Sequence, residues 1–230
     1  MSNSIAEAIS RVQAEIRAAQ LRGSHAAAEV TLIAVSKTKP QEMVAEALAA
    51  GQLHFGENKV QEMVTKQAAF PQASWHMIGH LQTNKAAKAV DAACLIHSLD
   101  RPELALELEK RADARSRLLP VLVQVNLAKE DSKSGIYEEE LPDFLDLLAG
   151  LPHLQVQGLM TIGPAVDDAE EARPLFARLR ELRDREDGKR GMQLHHLSIG
   201  MSGDYQVAIE EGATLVRVGS AIFGARNYNV

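Results

Sequence analysis

The chain has 230 residues, of which 46% are hydrophobic and 24% are charged, an ordinary composition for a globular protein. Its formal net charge of −6 argues against the basic surface that nucleic acids and anionic membranes attract, so we expect neither partner. The single cysteine, Cys94, excludes an intrachain disulfide and favours a reducing compartment. No apolar stretch is long enough to span a bilayer and no signal peptide is visible, so we predict a cytoplasmic protein.

Residues 1–22 are predicted to form an amphipathic helix, because Ile5, Ile9, Val12 and Ile16 recur on one helical face. Short apolar runs then alternate with helical patterns along the whole chain. Helices are expected, for example, over 41–50, 102–115 and 138–148. Gly150 and Gly188 are each expected to end a helix. The predicted strands are 30–36, 53–56, 74–79, 93–99, 119–126, 154–160, 194–200 and 214–220.

Eight strands separated by helices, with no proline-rich linker or low-complexity tract, predict a parallel α/β sheet. An open doubly wound sheet would satisfy this pattern. Eight units in this length more naturally close into a (β/α)8 TIM barrel. We therefore predict one domain over residues 1–230, a TIM barrel with an extra N-terminal helix and no second β domain.

Polar residues follow the predicted strands, where the chemistry of such barrels collects. The loops 198–204 and 217–226 also carry glycines and hydroxyls, which let the backbone approach a ligand and hold an anion. Phosphate sites after strands seven and eight recur in this fold, although ordinary tight turns have the same composition. The residues at the strand ends are Lys37, Asn58, His80, Ser98, Asn126, Thr161, Ser202 and 217–220.

Arg217 alternates with two flanking valines, so it points into the barrel if the valines face the helices. A buried guanidinium needs a partner, either a carboxylate or a ligand. Lys37 follows the first strand, which neighbours the eighth in a closed barrel. It could be a solvated loop residue, a counter-charge for phosphate, or an amine that forms a Schiff base. A phosphorylated aldehyde, pyridoxal 5′-phosphate (PLP), would use lysine, arginine and phosphate loops together. Lys39 is expected to point to solvent or a helix start.

The histidines do not show the spacing of a metal site. His195 and His196 are adjacent in a strand and should point to opposite faces, and His76 and His80 are separated by a turn. Without a cluster of ligand spacing, we expect no metal.

Several segments together resemble the pyridoxal phosphate homeostasis protein family, whose barrel is similar to the N-terminal domain of alanine racemase. They extend from about residue 32 to 226 and read "AVSKTKP", "FGENKVQE", "WHMIGHLQTNK", "DSKSGI", "GLMTI" and "LSIGMSGDYQVAIEEGATLVRVGSAIFGAR". The resemblance implies that Lys37 carries PLP covalently as an internal aldimine and that Arg217 faces the pyridine nitrogen. It also implies that the phosphate is held by Ser202, Gly219 and Ser220, with Asn58 and His80 lining the pocket.

The resemblance implies a non-catalytic PLP-binding protein that acts in intracellular PLP (vitamin B6) and amino-acid homeostasis. PLP-dependent enzymes are the expected recipients, and a monomer is the expected state. An arginine cannot accept the pyridinium proton, so the ring would be a poor electron sink.

A small PLP-dependent enzyme, such as an amino-acid racemase, is the alternative. Racemisation needs a second acid/base opposite the lysine, which alanine racemase takes from a tyrosine of an extra β domain. Ten residues follow Ser220, which leaves no room for such a domain, and Tyr137, Tyr205 and Tyr228 are not obviously placed. A Schiff-base aldolase has no supporting motif beyond Lys37.

Overall fold

The computed structural model describes residues 4–130, 133–164 and 166–224. Eight parallel strands pair in sequence order, and β8 pairs with β1, so the sheet is a closed barrel. Each strand overlaps one of the predicted runs, and the predicted TIM barrel is confirmed. The strands are β1 (Thr31–Val35), β2 (His54–Glu57), β3 (Ser74–Met77), β4 (Leu95–Leu99), β5 (Leu119–Gln124), β6 (Leu154–Met160), β7 (His196–Ser198) and β8 (Leu215–Val218).

Helices surround the barrel. They are α1 (Ile5–Arg22), α2 (Gln41–Ala49), α3 (Val60–Ala69), α4 (Ala86–Ala92), α5 (Pro102–Asp113), α6 (Leu141–Ala149), α7 (Arg173–Arg190), α8 (Tyr205–Glu210) and α9 (Ser220–Phe223). Short 3-10 turns at Thr83–Lys85, Glu138–Glu140 and Ala169–Ala172 precede α4, α6 and α7. None of the described helices combines the length and apolar character needed to cross a bilayer.

One predicted helix end is wrong. Gly150 caps α6 as expected, but Gly188 lies inside α7, which continues to Arg190. The residue that ends α7 is Gly191, whose φ of +63° is the left-handed conformation that glycine adopts without steric cost. Its N–H donates to the carbonyl oxygen of Asp187 at 2.7 Å.

Helix α1 covers the barrel beside β8. Within the described residues the helix after β8, α9, is a single turn, and α1 packs against α8, α9 and α2. Ser4 and Glu7 form a capping box, in which each side chain accepts from the other's backbone N–H. The predicted apolar face, from Ile5 to Ile16, is buried against these helices.

The barrel interior contains a small apolar cluster and a set of polar side chains. The apolar cluster is Ile33, Leu95, Leu122, Met160 and Leu215. The polar side chains belong to strands on opposite sides of the barrel and hydrogen-bond across it: His76, His97, Ser198 and Arg217. The larger hydrophobic core fills the space between the sheet and the helices.

Candidate functional site

A cavity of about 520 Å³ lies at the carboxyl ends of the strands, within the usual size range of small-molecule sites. It is lined by all seven predicted site residues: Lys37, Asn58, His80, Ser202, Arg217, Gly219 and Ser220. Three other strand-end residues, Ser98, Asn126 and Thr161, are buried and are not part of this lining. The hydroxyl of Thr161 donates to the carbonyl of Val125, so it serves the backbone instead.

The cavity is electropositive. Four cationic side chains line it, namely Lys37, Lys39, Lys133 and Arg217, and none of the described lining residues is a carboxylate. The whole chain, in contrast, has a net charge of −6. Charges of one sign in a concave site focus the potential, so this cavity suits an anionic ligand.

The residues on both sides of Lys37 are held by side chains from neighbouring elements. The Ser36 hydroxyl donates to Glu57 Oε1 at 2.6 Å. The N–H of Thr38, at a φ of +62°, donates to Glu62 Oε1 at 2.7 Å. The backbone that carries Lys37 is therefore fixed on either side of it.

A buried lysine joins these contacts into one cluster. Lys66, on α3, is 4% exposed and donates to the Ser36 carbonyl oxygen, Glu57 Oε1 and Glu62 Oε1 at 2.7, 2.8 and 2.8 Å. Burial raises the pKa of Glu57, whose second oxygen, Oε2, has no hydrogen-bond partner. Sequence reasoning missed this cluster. The available signal was a lysine at the spacing of the buried residues Val60 and Met63 on α3.

The sequence suggested that Lys39 points to solvent or a helix start, but the structure places its amine elsewhere. Its Nζ donates to the carbonyl oxygens of Phe223 and Gly224 at 2.9 and 3.2 Å. These carbonyls belong to the end of the one-turn helix α9. Lys39 thus satisfies carbonyl groups that a helix end leaves without intrahelical partners.

The two predicted phosphate loops meet at Ser202. Its hydroxyl oxygen accepts from the N–H groups of Gly219 at 3.1 Å and Ala221 at 3.4 Å. The loop before it requires glycine, because Gly200 has a φ of +87° and a Cβ there would lie 2.9 Å from the Tyr205 Cα. Backbone donors and hydroxyls therefore converge at this end of the cavity, which is the arrangement that binds phosphate groups.

Arg217 points into the barrel, as its alternation predicts, and is 5% exposed. Its partners are carbonyl and hydroxyl oxygens: Nη1 donates to Ser198 O at 2.7 Å and Ser198 Oγ at 2.5 Å, and Nη2 to Thr161 O at 2.8 Å. Burial lowers the pKa of Arg217 to about 10, so the guanidinium remains protonated at neutral pH.

His80 follows β3 and lines the same cavity as Arg217, and its side chain is 50% exposed. Its Nδ1 is 3.1 Å from Ser134 Oγ and 3.4 Å from Asp100 Oδ2. Ser134 and Lys133 come from the loop after β5, which returns to pair Ile136 with Val125. Sequence reasoning missed both residues, because the strand pattern does not indicate where that loop folds.

No group of three or more His, Cys, Asp or Glu side chains in the described part of the chain could hold a metal ion. The two adjacent histidines have different surroundings. His196 Nδ1 is 3.1 Å from the Thr214 hydroxyl, whereas His195 is exposed.

Comparison with known proteins identifies the family. The family model for the alanine racemase N-terminal domain matches residues 9–227. A protein of Aquifex aeolicus named pyridoxal phosphate homeostasis protein is 43% identical over 224 residues, covering 96% of this chain and 98% of its own.

The chain belongs to the pyridoxal phosphate homeostasis protein family. The resemblance inferred from the sequence motifs is thus confirmed. Among solved structures, PipY of Synechococcus elongatus PCC7942 is 39% identical and covers 96% of this chain and 100% of its own. Its TM-score is 0.87 for the structure without PLP and 0.86 for the structure with PLP bound. An alanine racemase of Clostridium difficile shares the fold with a TM-score of 0.74 at 13% identity.

Proposed function

We propose that the protein binds PLP in the electropositive cavity, with a Schiff base between the PLP aldehyde and Nζ of Lys37. Formation of this C=N bond would release the aldehyde oxygen as water, with the two hydrogens of the neutral Lys37 amine. The observation that carries the proposal is the lining itself, with four cations and no described carboxylate. The PLP-bound structure of PipY, a 39% identical relative, supports it.

The residues present fit such a cofactor. Ser202, Gly219 and Ser220 would hold the phosphate, since hydroxyl and backbone donors converge there. Arg217 would face the pyridine nitrogen, and because a guanidinium can only donate hydrogen bonds, that nitrogen would stay unprotonated. Asn58 and His80 line the remaining wall. PLP, when bound, supplies an electrophilic aldehyde and a conjugated ring that can stabilise negative charge.

We infer further that the protein is a carrier that acts in PLP (vitamin B6) and amino-acid homeostasis rather than an enzyme. Its relatives are named for PLP homeostasis, which supports this role. Neither described tyrosine lines the cavity: Tyr205 donates its hydroxyl to Glu15, and Tyr137 is 39% exposed before α6. Tyr228 lies outside the described residues. We propose a cytoplasmic monomer that delivers PLP to PLP-dependent enzymes.

One observation favours the alternative, a small racemase-like enzyme. His80 lines the cavity with Asp100 beside its Nδ1, so its ring could exchange a proton with a bound amino acid. This alternative shares the cofactor and the lysine with the carrier, and differs only in turnover.

The test is the absorption spectrum of the purified protein with PLP, before and after borohydride reduction. We expect a Schiff-base band near the visible range that reduction removes, and a pyridoxyl mass on the peptide that contains Lys37. Lys37→Ala should abolish both signals. Lys39→Ala is the matched control, since Lys39 lines the same cavity but donates to α9 carbonyls. A modified Lys39, Lys59 or Lys85, or no band at saturating PLP, would contradict the proposal.

A further inference from the structure

A continuous row of side chains crosses the barrel interior behind Arg217. Ser198 Oγ, which accepts from Arg217, is 2.8 Å from His97 Nδ1. His97 Nε2 is 3.0 Å from His76 Nδ1, and His76 Nε2 is 3.0 Å from His54 Nδ1. The row begins at the buried Ser198, which contacts the cavity residue Arg217, and ends at the first residue of β2, at the amino end of the barrel. We call these four residues, His54, His76, His97 and Ser198, the histidine row.

The imidazoles of this row are neutral. His97 is fully buried and His76 is 4% exposed. Burial lowers the pKa of His76 to about 3 and that of His97 well below its ordinary value. Burial also lowers the pKa of the half-buried His54. Each neutral ring has one N–H donor and one acceptor nitrogen, so each link in the row fixes the next.

Ser198 determines the direction in which the hydrogen bonds of the row are donated. Its Oγ accepts from Arg217, so the acceptor left for its own O–H is His97 Nδ1. His97 then carries its proton on Nε2 and donates to His76 Nδ1, and His76 likewise donates from Nε2 to His54 Nδ1. The reverse direction would leave the hydroxyl hydrogen of a fully buried serine without an acceptor among its described contacts.

We propose that the histidine row is a positioning device for Arg217. Of the five N–H groups of a guanidinium, Arg217 uses three on Ser198 O, Ser198 Oγ and Thr161 O. Because the O–H of Ser198 donates to His97, the lone pairs of Ser198 Oγ are available to accept from Arg217. Both hydrogens of Nη1 are then used, one on Ser198 Oγ and one on Ser198 O. Nε–H and the second Nη2–H are then the donors left for a ligand in the cavity. None of the hydrogen-bond acceptors of Arg217 is a carboxylate, and the carboxylate of Asp204 attracts the cation without a hydrogen bond to it.

The consequence for PLP rests on the proposed function, but the tautomers of the row do not. The first measurement is therefore made without PLP, by long-range ¹H–¹⁵N NMR of the histidine rings in the wild-type protein. We expect Nε2–H tautomers at His76 and His97. An Nδ1–H tautomer at His97 would overturn the direction of the row and with it the proposal.

The variant Ser198→Ala removes the hydroxyl and should release His97 from a single tautomer. The matched control is His196→Gln, which changes another histidine of the same strand whose described partner is Thr214. It should leave the tautomers of His76 and His97 as in the wild type. An unchanged His97 tautomer in Ser198→Ala would contradict the proposal, and the dispersion of the same spectra shows whether each variant is folded.

The second measurement is PLP affinity, followed by the absorption spectrum of the bound cofactor. Ser198→Ala should weaken binding about three- to tenfold, the effect of one net hydrogen bond, and should shift the absorption maximum, while His196→Gln does neither. If the wild type binds PLP and Ser198→Ala matches it in affinity and spectrum, the positioning role is wrong. If the wild type itself does not bind PLP, the proposed function fails, and the tautomers still test the row.

Discussion

Arg217 and Lys37 line the same cavity, but Arg217 is 5% exposed whereas Lys37 is only partly buried. A buried guanidinium loses its hydration, and its partners here are two carbonyls and one hydroxyl. Such an arrangement could serve packing alone, or it could present a charge to a ligand. The two roles differ in what happens when the charge is removed.

We predict that Arg217→Gln weakens PLP binding while the barrel stays folded. The loss of a hydrogen bond to a charged group typically costs about 1.5–3 kcal/mol, which is about 10- to 150-fold in Kd. The measurement is an absorbance titration with PLP, paired with thermal unfolding with and without PLP. If Arg217 serves packing only, the melting temperature will fall by the same amount in both conditions and the Kd will not change.

At the scale of elements, α3 determines where the loop that follows β1 lies. Lys66 reaches from α3 to the Ser36 carbonyl and to the carboxylates of Glu57 and Glu62. Glu57 is fully buried, so it depends on this cation for charge compensation. The loop that carries Lys37 is thus coupled to the stability of a buried ion pair.

We predict that Lys66→Met destabilises the protein by about 3–5 kcal/mol, because it leaves a buried carboxylate without its cation. The double variant Lys66→Met with Glu57→Gln should recover part of this loss. The measurement is urea unfolding, and Lys59→Met, an exposed lysine before the same helix, is the matched control. Equal free energies of unfolding for Lys66→Met and the control would contradict a structural role for the cluster.

The pH dependence of the free energy of unfolding gives a second test of Lys66→Met. Without Lys66, burial and the neighbouring Glu62 raise the pKa of Glu57, and only the Ser36 hydrogen bond still lowers it. The folded state then binds a proton that the unfolded state releases above its lower pKa, so stability falls as pH rises. The free energy of unfolding that Lys66→Met loses relative to the wild type should therefore be larger at pH 8 than at pH 5.

For the molecule as a whole, the buried histidines set the response to acid. Burial lowers the pKa of His76 to about 3 and that of His97 well below its ordinary value, against 6.5 in the unfolded chain. Below pH 6.5 the unfolded state binds protons that the folded state does not, so stability falls as pH falls.

We predict that each of these two histidines lowers the free energy of unfolding by about 1.4 kcal/mol per pH unit as the pH falls from about 6 to about 4. Stability should be nearly constant above pH 7 as far as these groups are concerned. The measurement is denaturant unfolding at several pH values. His97→Gln should remove about half of this slope, whereas His153→Gln, a partly exposed histidine beside Glu109, should not. An equal slope in wild type and His97→Gln would mean that other groups dominate.

The sequence was sufficient for the barrel and for seven of the residues that line its cavity. Each strand is a compact apolar run, and parallel strands place the residues that follow them at one end of the barrel. That rule brings Lys37, Asn58 and His80 together, and alternation within β8 adds Arg217. Their role in binding a cofactor stays a prediction.

What the sequence did not indicate depends on contacts between distant elements. The histidine row requires the register of β3, β4 and β7 across the barrel, which alternation within one strand does not provide. Lys39 depends on where α9 ends, and Lys66 on how α3 packs against the loop after β1. Gly188 was misassigned because the last turns of α7 are charged and largely exposed, so their composition resembles that of a loop.

The carrier and the racemase-like enzyme differ in one property, proton exchange at the Cα of an amino acid. We predict that the PLP-loaded protein exchanges the Cα proton of alanine or serine in deuterated water no faster than free PLP at equal concentration. Two features motivate this: the arginine that we propose faces the ring nitrogen, and no tyrosine among the described lining residues. A positioned acid/base group contributes about 10²–10⁴-fold, so its absence leaves only slow side reactions. NMR measures the exchange. Exchange far above the free-PLP control that Lys37→Ala abolishes would establish an enzyme, and its further loss in His80→Gln would identify the second acid/base.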